Sequence, residues 1–567
     1  MKAVLALLAV LYFDAHNHFT GILPFQAYAN LPAYVAHFAN PHAGPALDDR
    51  RALLRYLETV WYPQQGAALG DRPSSPPDGQ RFALGARATL VVFRNRTDVR
   101  DVDGALERIL SATPWSEFDS AYAFRGGPAS DYLRTRFYHG DEARLAADLC
   151  RATVLDLAAT NIDASEQSLP FAGGFHFENG RSDRLDTIQC PQRAASDPRV
   201  VAGLRRIGKP MPVIRFVLMT LTAQLATLPG GTTYSEWSKT GTCAAVPLPK
   251  AIETSPETIY SSLMGLKGDG RPAVARGERF QYWTSVVGID TAGPETTCFS
   301  GDGMTYFSHL ADAVYRAAKD RRALGWRGKL LVHTHVGEGS AIDYVPAAPL
   351  QPWTFGDAFA HLPSQLTNTQ QAGENISALL GAIARFRQAH PDADRYVIFR
   401  LAHVTWANAA QAQTMHGERV EADVNLESNV ATGAYPISRM PLGRPLIMRL
   451  WIDPIAGNPA ENFELNDLLG ALVSSPSNVN QTGSILGDAA LRYLLEYHVR
   501  CLLGTDADGV EHSDIVREYA YAASLISYWD ATDEGFRSLA SGVREQTLFD
   551  NVAWHQANMT ADEAEPY

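Results

Sequence analysis

The chain has 567 residues, of which 46% are hydrophobic and 20% are charged, and its formal net charge is −13 at pH 7. This composition is typical of a soluble globular protein with a large core and excludes a chain that is disordered throughout. Because the chain is acidic and has no long Lys/Arg run, we expect a small-molecule or protein partner and neither nucleic-acid nor membrane binding.

The N-terminal segment resembles a signal peptide, because Lys2 precedes an apolar stretch that ends at Leu11. The stretch is too short to span a bilayer, and it continues without a polar spacer into a pair of histidines, His16 and His18. We therefore interpret it as the start of the first strand. Side chains at i and i+2 of a strand leave the same face, so this pair could chelate a metal or could simply bond to the backbone.

The next elements are less regular. Residues 22–125 are rich in Pro, Gly and aromatic residues and read as an insertion of loops and short helices. A helical pattern from Asp131 to Ala158 follows, and a second strand is expected near Asn161–Asp163. Loop-rich sequence makes 161–280 and 341–373 two further insertions, which could hold a lid or the contacts of a homo-oligomer.

Further β-prone apolar runs lie at residues 212–218, 285–290, 329–335, 396–403, 422–426 and 500–506. Helical patterns separate most of them, for example at 306–319, 376–388 and 489–498. About eight strands alternating with helices predict an α/β fold, a (β/α)8 TIM-type barrel that forms a single domain over residues 1–567 with the three insertions within it.

The five cysteines are scattered along the chain. Their spacing predicts neither a disulfide framework nor a Cys-x-x-Cys zinc site. They are Cys150, Cys190, Cys243, Cys298 and Cys501. A reducing cytoplasm is therefore the expected location.

Histidine and aspartate recur where predicted strands end. His16 and His18, Asp290, His335, His403 and Asp506 all close a β-prone run. The C-terminal ends of barrel strands are the face on which such barrels build active sites from several strands. Asp290 could instead cap the following helix, and His333, two residues before His335, could compete with it for a metal.

In this order, the motifs resemble those of the adenosine deaminase family of metal-dependent amidohydrolases. The matching segments are Asp14-x-His16-x-His18, Gly288-Ile289-Asp290-Thr291-Ala292-Gly293-Pro294-Glu295, His335-Val336-Gly337-Glu338, Arg400-Leu401-Ala402-His403, Ser428-Asn429-x-x-Thr432-Gly433, and Thr505-Asp506 with Glu518-Tyr519. Together they span nearly the whole chain.

The resemblance implies a single zinc ion per active site, held by His16, His18, His335 and Asp506. Zinc accepts imidazole and carboxylate ligands and activates water for attack, here on C6 of an adenine-type ring. The implied catalytic residues are Glu338, which would protonate the ring nitrogen, His403, which would orient the attacking water, and Asp506, which would share its proton. This role requires a raised pKa at Glu338.

Substrate recognition departs from the family pattern. The resemblance assigns substrate contacts to Gly293, Asp508 and Thr20. Thr20 stands where the family has an aspartate, and Ala507 replaces a second aspartate after Asp506, with Asp508 one position later. Ser428 and Asn429 are expected to brace a loop rather than contact substrate.

The sequence therefore predicts a zinc-dependent hydrolytic deaminase of a purine nucleoside or nucleotide. One alternative is an amidohydrolase that acts on another ring or amide. Another is a deaminase component of a bacterial antiviral assembly, because large members of the family with insertions include such proteins, and a catalytically silent scaffold is the least favoured. The missing Pro-Cys-x-x-Cys signature excludes a cytidine-deaminase-type site.

Overall fold

A computed structural model gives the fold of the chain. It describes residues 12–19, 21–23, 25–40, 49, 52–53, 129–170, 187–237, 242–247, 255–266, 272, 274, 276–293, 297–299, 301–338, 368–431, 490–507 and 514–559.

Eight parallel strands form the central sheet, as the sequence predicts. In spatial order they are β1 (Phe13–His18), β2 (Ala164–Pro170), β3 (Val213–Leu221), β6 (Val286–Ala292), β7 (Leu330–Val336), β8 (Val397–His403), β9 (Glu421–Val424) and β10 (Cys501–Leu503). Backbone hydrogen bonds from His18 N to Asp506 O (2.7 Å) and from Asp506 N to His16 O (2.8 Å) join the segment after β10 back to β1. The sheet thereby closes into a (β/α)8-type barrel.

Helices surround this barrel. They are α1 (Phe25–Ala29), α2 (Leu31–Ala39), α3 (Ser130–Arg136), α4 (Glu142–Ala159), α5 (Cys190–Ala195), α6 (Pro198–Ile207), α7 (Pro256–Met264), α8 (Arg279–Ser285), α9 (Gly301–Ala323), α10 (Asn368–Ala389), α11 (Ala409–Gly417), α12 (Leu426–Ala431), α13 (Ala490–Glu496), α14 (Ile515–Thr532), α15 (Glu534–Leu539) and α16 (Glu545–Met559). None of the helices in the described ranges is both long and apolar enough to cross a membrane.

The second strand differs in place from its prediction. The helical pattern divides into α3 and α4, and β2 begins at Ala164, just after the polar residues 161–163. Two barrel strands, β2 and β3, thus lie within 161–280, together with a hairpin of β4 (Thr233–Trp237) and β5 (Cys243–Pro247). The predicted insertions at 22–125 and 341–373 fall mostly outside the described residues.

The cysteine prediction is wrong. Cys150 forms a disulfide with Cys190, and Cys243 forms one with Cys298, whereas Cys501 is a buried free thiol. The bridges join cysteines separated by 40 and 55 residues, so no short spacing motif announces them. One bridge ties α4 to α5, and the other ties the β4–β5 hairpin to the segment after β6.

Helix α16 closes the N-terminal end of the barrel. Met559 packs against an apolar layer formed by Val217, Val287, Leu331 and Ile398 from four neighbouring strands. The backbone N–H of Lys329, just before β7, donates to the carbonyl of Asn558 at 2.9 Å. The polar residues that the sequence singles out lie at the opposite end of the barrel, where the strands finish.

Candidate metal centre and active site

Five predicted site residues meet at the C-terminal ends of four strands. His16 and His18 lie at the end of β1, His335 on β7, His403 at the end of β8, and Asp506 just after β10. The exposed fraction is 4% or less for four of them, and His18 is intermediate. A cluster of imidazoles with one carboxylate, shielded from water, is the donor set of a zinc site.

The four imidazole rings are packed closely. His16 is central, with its ring centroid 4.4 Å from that of His335, 5.2 Å from that of His18 and 5.1 Å from that of His403. Gly504 makes this approach possible, because a Cβ at that position would lie 2.7 Å from the Cβ of His16.

The spacing of the donor atoms fits a tetrahedral metal. Two ligands bound at about 2.0–2.1 Å are about 3.3 Å apart across a tetrahedron. The Nε2 atoms of His16 and His18 are 3.4 Å apart, and Asp506 Oδ1 lies 3.6 Å and 3.2 Å from them, respectively. His335 Nε2 and Asp506 Oδ1 are buried and have no hydrogen bond of ordinary geometry among the described residues. A metal ion would satisfy both atoms.

The protonation states of the proposed ligands also favour a metal site. Burial lowers the pKa of His16 and holds the pKa of His335 well below 6.5, so both imidazoles are neutral near pH 7. Burial alone would raise the pKa of Asp506, but His18 and His16 outweigh it and hold this pKa well below 3.8. Neutral imidazoles and an ionised carboxylate are the forms that bind metals.

The backbone is strained at two of these residues. Both His403 and Asp506 have φ of 61°, in the left-handed region that side chains other than glycine rarely adopt. Contacts from α12 fix both side chains: Ser428 Oγ donates to Asp506 Oδ2 at 2.6 Å, and Asn429 Oδ1 lies 2.9 Å from His403 Nδ1. Ser428 and Asn429 thus contact site residues from behind.

Glu338 lies beside the metal cluster. It follows β7 by two residues, is 3% exposed, and its Oε2 is 3.7 Å from His403 Nε2. The indole N–H of Trp406 donates to the Glu338 backbone carbonyl at 3.0 Å, which holds this short loop in place. A carboxyl group is therefore available next to the histidine.

Of the predicted substrate contacts, the structure describes Gly293 alone. It follows β6 with φ of 141°, and a Cβ there would lie 3.0 Å from Thr222 Oγ1, so both conformation and space favour glycine. Thr20 and Asp508 lie outside the described residues. Ala507 is completely buried.

The geometry decides between the alternatives that the sequence leaves open for Asp290 and His333. Asp290 is not at a helix start; it lies on β6, where Oδ1 is 2.9 Å from His333 Nδ1 and Oδ2 accepts from Ser168 Oγ at 2.6 Å. His333 Nε2 is 2.6 Å from Asp423 Oδ2. Both nitrogens of His333 therefore contact carboxylates, at 2.9 and 2.6 Å, whereas His335 Nε2 stands 3.5 Å from Asp290 Oδ2.

Sequence reasoning missed Asp423 on β9 and Asn425 just after it. Asp423 Oδ1 and Asn425 Nδ2 each lie 3.0 Å from His16 Nδ1. A signal exists in Glu421-x-Asp423-x-Asn425, since alternate polar residues in a buried strand share the face that points into the barrel.

The chain matches no protein-family model and no curated protein. Among solved structures it is similar to Arabidopsis ADAL in complex with IMP, with a TM-score of 0.34 and 14% identity over 98% of this chain and 99% of that one. It is also similar to the Arabidopsis N6-mAMP deaminase MAPDA, with a TM-score of 0.35 and 14% identity over 97% and 99% of the two chains. A triazine hydrolase from Arthrobacter aurescens gives a TM-score of 0.37 and 12% identity over 81% and 68%. These likenesses are distant in both sequence and structure.

Proposed function

We propose that the chain is a metal-dependent hydrolase that removes an amino group from an adenine-type purine and releases ammonia. Three donor atoms at tetrahedral spacing, from His16, His18 and Asp506, carry this proposal. His335 adds an imidazole nitrogen within 4.8 Å of those of His16 and His18, and Glu338 lies alongside. Zinc is the metal that this donor set suits, and when bound it would supply the Lewis acidity that lets water act as a nucleophile near neutral pH.

The residues of the chain supply the remaining chemistry. His403, held through Nδ1 by Asn429, presents Nε2 to the site, where it can orient water and accept its proton. Glu338 in its carboxylic acid form can donate a proton to a ring nitrogen of the substrate. Buried walls around both groups exclude bulk water and strengthen their interactions with substrate.

The site supports the type of reaction more strongly than it supports one particular substrate. Gly293 directly follows β6, the strand that carries Asp290, and we assign its backbone N–H to the edge of a flat ring. Ala507 brings no polar group to read the ring edge. A purine nucleoside or nucleotide remains our first choice because both the proton donor and the metal cluster suit hydrolysis of a ring amidine.

A substrate panel tests this function. Purified zinc-loaded protein is offered adenosine, deoxyadenosine, AMP, ATP, N6-methyl forms and non-purine amino-heterocycles, and ammonia release is measured. We expect release from at least one purine, with Glu338→Gln lowering kcat by about 10²–10⁴-fold. Ammonia from a non-purine alone would refute the purine assignment, and full activity of Glu338→Gln would refute the role of this carboxyl.

The cellular location needs a separate proposal. Disulfides persist mainly in oxidising compartments, so the two bridges weigh against the cytoplasm that the sequence predicts. We therefore favour an oxidising compartment. Peptide mapping of the native protein without reductant should recover both bridges and a free Cys501. Five free thiols in protein from its natural source would restore the cytoplasmic prediction.

A further inference from the structure

A buried carboxylate on β9 connects two histidines from different strands. Asp423 Oδ1 lies 3.0 Å from His16 Nδ1, and its Oδ2 lies 2.6 Å from His333 Nε2. All three side chains are at most 1% exposed. On the far side, His333 Nδ1 is 2.9 Å from Asp290 Oδ1. The result is a continuous series, Asp290–His333–Asp423–His16, across β6, β7, β9 and β1.

This series determines how His16 faces the metal cluster. An ionised carboxylate only accepts hydrogen bonds, so His16 must donate through Nδ1 to Asp423. Its Nε2 then carries the free lone pair, and this atom is the one placed 3.4 Å from His18 Nε2. A carboxylate behind a metal-binding imidazole fixes both its tautomer and its ring orientation.

Asn425 offers a competing contact to the same nitrogen. Its Nδ2 lies 3.0 Å from His16 Nδ1 and 3.4 Å from His403 Nδ1. The amide can donate to His16 only if Nδ1 has no proton, and a charged carboxylate is the stronger acceptor of that proton. Asp423 therefore prevails, and Asn425 contributes packing between the two imidazoles.

The series is not itself a second metal site. Ligands that share a tetrahedral ion are about 3.3 Å apart, whereas His333 meets Asp423 at 2.6 Å and Asp290 at 2.9 Å. These are contact distances of ion pairs and hydrogen bonds. His333 thus stands between two buried carboxylates and limits the rotation of Asp423.

We propose that Asp423 and His333 are positioning residues, with Asp423 aiming the His16 imidazole at the metal and His333 holding Asp423 in place. This inference rests on the proposed metal-dependent function, and it extends the site to a layer below the ligands. Asp423 contacts His16 and His333 contacts Asp423, and both side chains are at most 1% exposed, so we expect their effect to appear first in metal affinity.

Zinc affinity provides the direct test. The zinc dissociation constant of the purified full chain is measured by competition with a chromophoric chelator, independently of any substrate. We expect Asp423→Ala to weaken zinc binding about 10–100-fold. Asp423→Asn should recover part of the loss, because its amide oxygen still accepts from His16 Nδ1. His333→Gln should show a smaller loss than Asp423→Ala.

The matched control is Glu421→Gln on the same strand. Glu421 is equally buried, but its Oε2 contacts His555 Nδ1 at 3.0 Å instead of a proposed ligand. This variant should keep the wild-type zinc dissociation constant even if it loses stability. Equal weakening in Glu421→Gln and Asp423→Asn would refute the inference, since it would reduce both to a structural role.

Cobalt substitution adds a spectroscopic readout. The visible absorption of bound Co²⁺ should change in Asp423→Asn and stay unchanged in Glu421→Gln. A wild-type spectrum and affinity in Asp423→Asn, or two zinc ions per chain falling to one in His333→Gln, would overturn the inference. If no substrate is hydrolysed but zinc binding responds as described, the proposed deaminase function fails and the positioning role stands.

Discussion

Each end of the barrel holds a buried cluster of histidine and carboxylate side chains, but the basal cluster also contains arginines and is paired differently. The upper cluster comprises His16, His18, His335, His403 and Asp506. The basal cluster comprises Glu166, Arg215, Arg400, Glu421 and His555. In the upper cluster, donor atoms stand 3.2–3.6 Å apart and two of them have no ordinary hydrogen-bond partner. The basal cluster brings opposite charges into contact.

Contacts in the basal cluster are short. His555 from α16 reaches Glu166 Oε1 at 2.9 Å and Glu421 Oε2 at 3.0 Å, and Arg400 Nη1 meets Glu166 Oε2 at 2.9 Å. Charge compensation comes from within the chain, so no ion is needed. Buried histidine and carboxylate alone therefore do not indicate a metal site, since both clusters also hold buried atoms without a hydrogen bond among the described residues. The spacing of the donor atoms distinguishes the upper cluster from the basal one.

The largest expected effect comes from removing a ligand of the upper cluster. His335→Ala deletes one donor of the tetrahedral set, and we expect the loss of bound zinc and of measurable hydrolysis, with the circular dichroism spectrum retained. His416→Ala, at an exposed histidine, is the control and should behave as wild type. Zinc analysis by mass spectrometry would contradict us if His335→Ala kept its full metal content.

The second-largest expected effect is a loss of stability on removal of a buried charge from the basal cluster. Arg400→Met leaves Glu166 and Glu421 with less positive charge, and breaking a buried ion pair costs about 3–5 kcal/mol of unfolding free energy. Arg419→Met removes an arginine whose side chain is 70% exposed from its pair with Asp394 and should cost about 0–1 kcal/mol. Chemical denaturation measures both. Equal losses in the two variants would show that the basal pairs contribute no special stability.

Sequence patterning accounts for much of the fold, and β2 shows where it stops. Most barrel strands are apolar runs, but β2 reads Ala-Ser-Glu-Gln-Ser-Leu-Pro, and its polar residues Glu166, Gln167 and Ser168 are all buried. A strand whose buried residues are polar has no hydrophobic period to detect. The preceding apolar residues 153–157 belong to α4, as the helical pattern predicts.

The two buried clusters also differ in how far the sequence predicts them. His16, His335 and Asp506 lie in recognisable local motifs, so their convergence could be predicted from the order of strands. The basal cluster at the other end of the barrel offers no such signal, because His555 and Glu166 are separated by 389 residues and have no motif around them. Only closure of the barrel by α16 brings them together.

The smallest expected effect is a pH dependence confined to the basal cluster. Burial lowers the pKa of His555, as does the charge of Arg400, but Glu421 and Glu166 outweigh both and leave this pKa above 6.5. Because the folded pKa is the higher one, protonated His555 stabilises the fold fully below pH 6.5, and the contribution is lost as the pH rises through the folded pKa.

His555→Gln tests this sign. The difference in unfolding free energy between wild type and the variant should be largest just below pH 6.5 and should shrink at alkaline pH, by about 1.4 kcal/mol for each unit by which folding raises the pKa. His416→Gln provides the exposed control and should show no such trend. A difference that stays constant across this range would mean that His555 is neutral when folded, so that Arg400 and Arg215 balance the two glutamates.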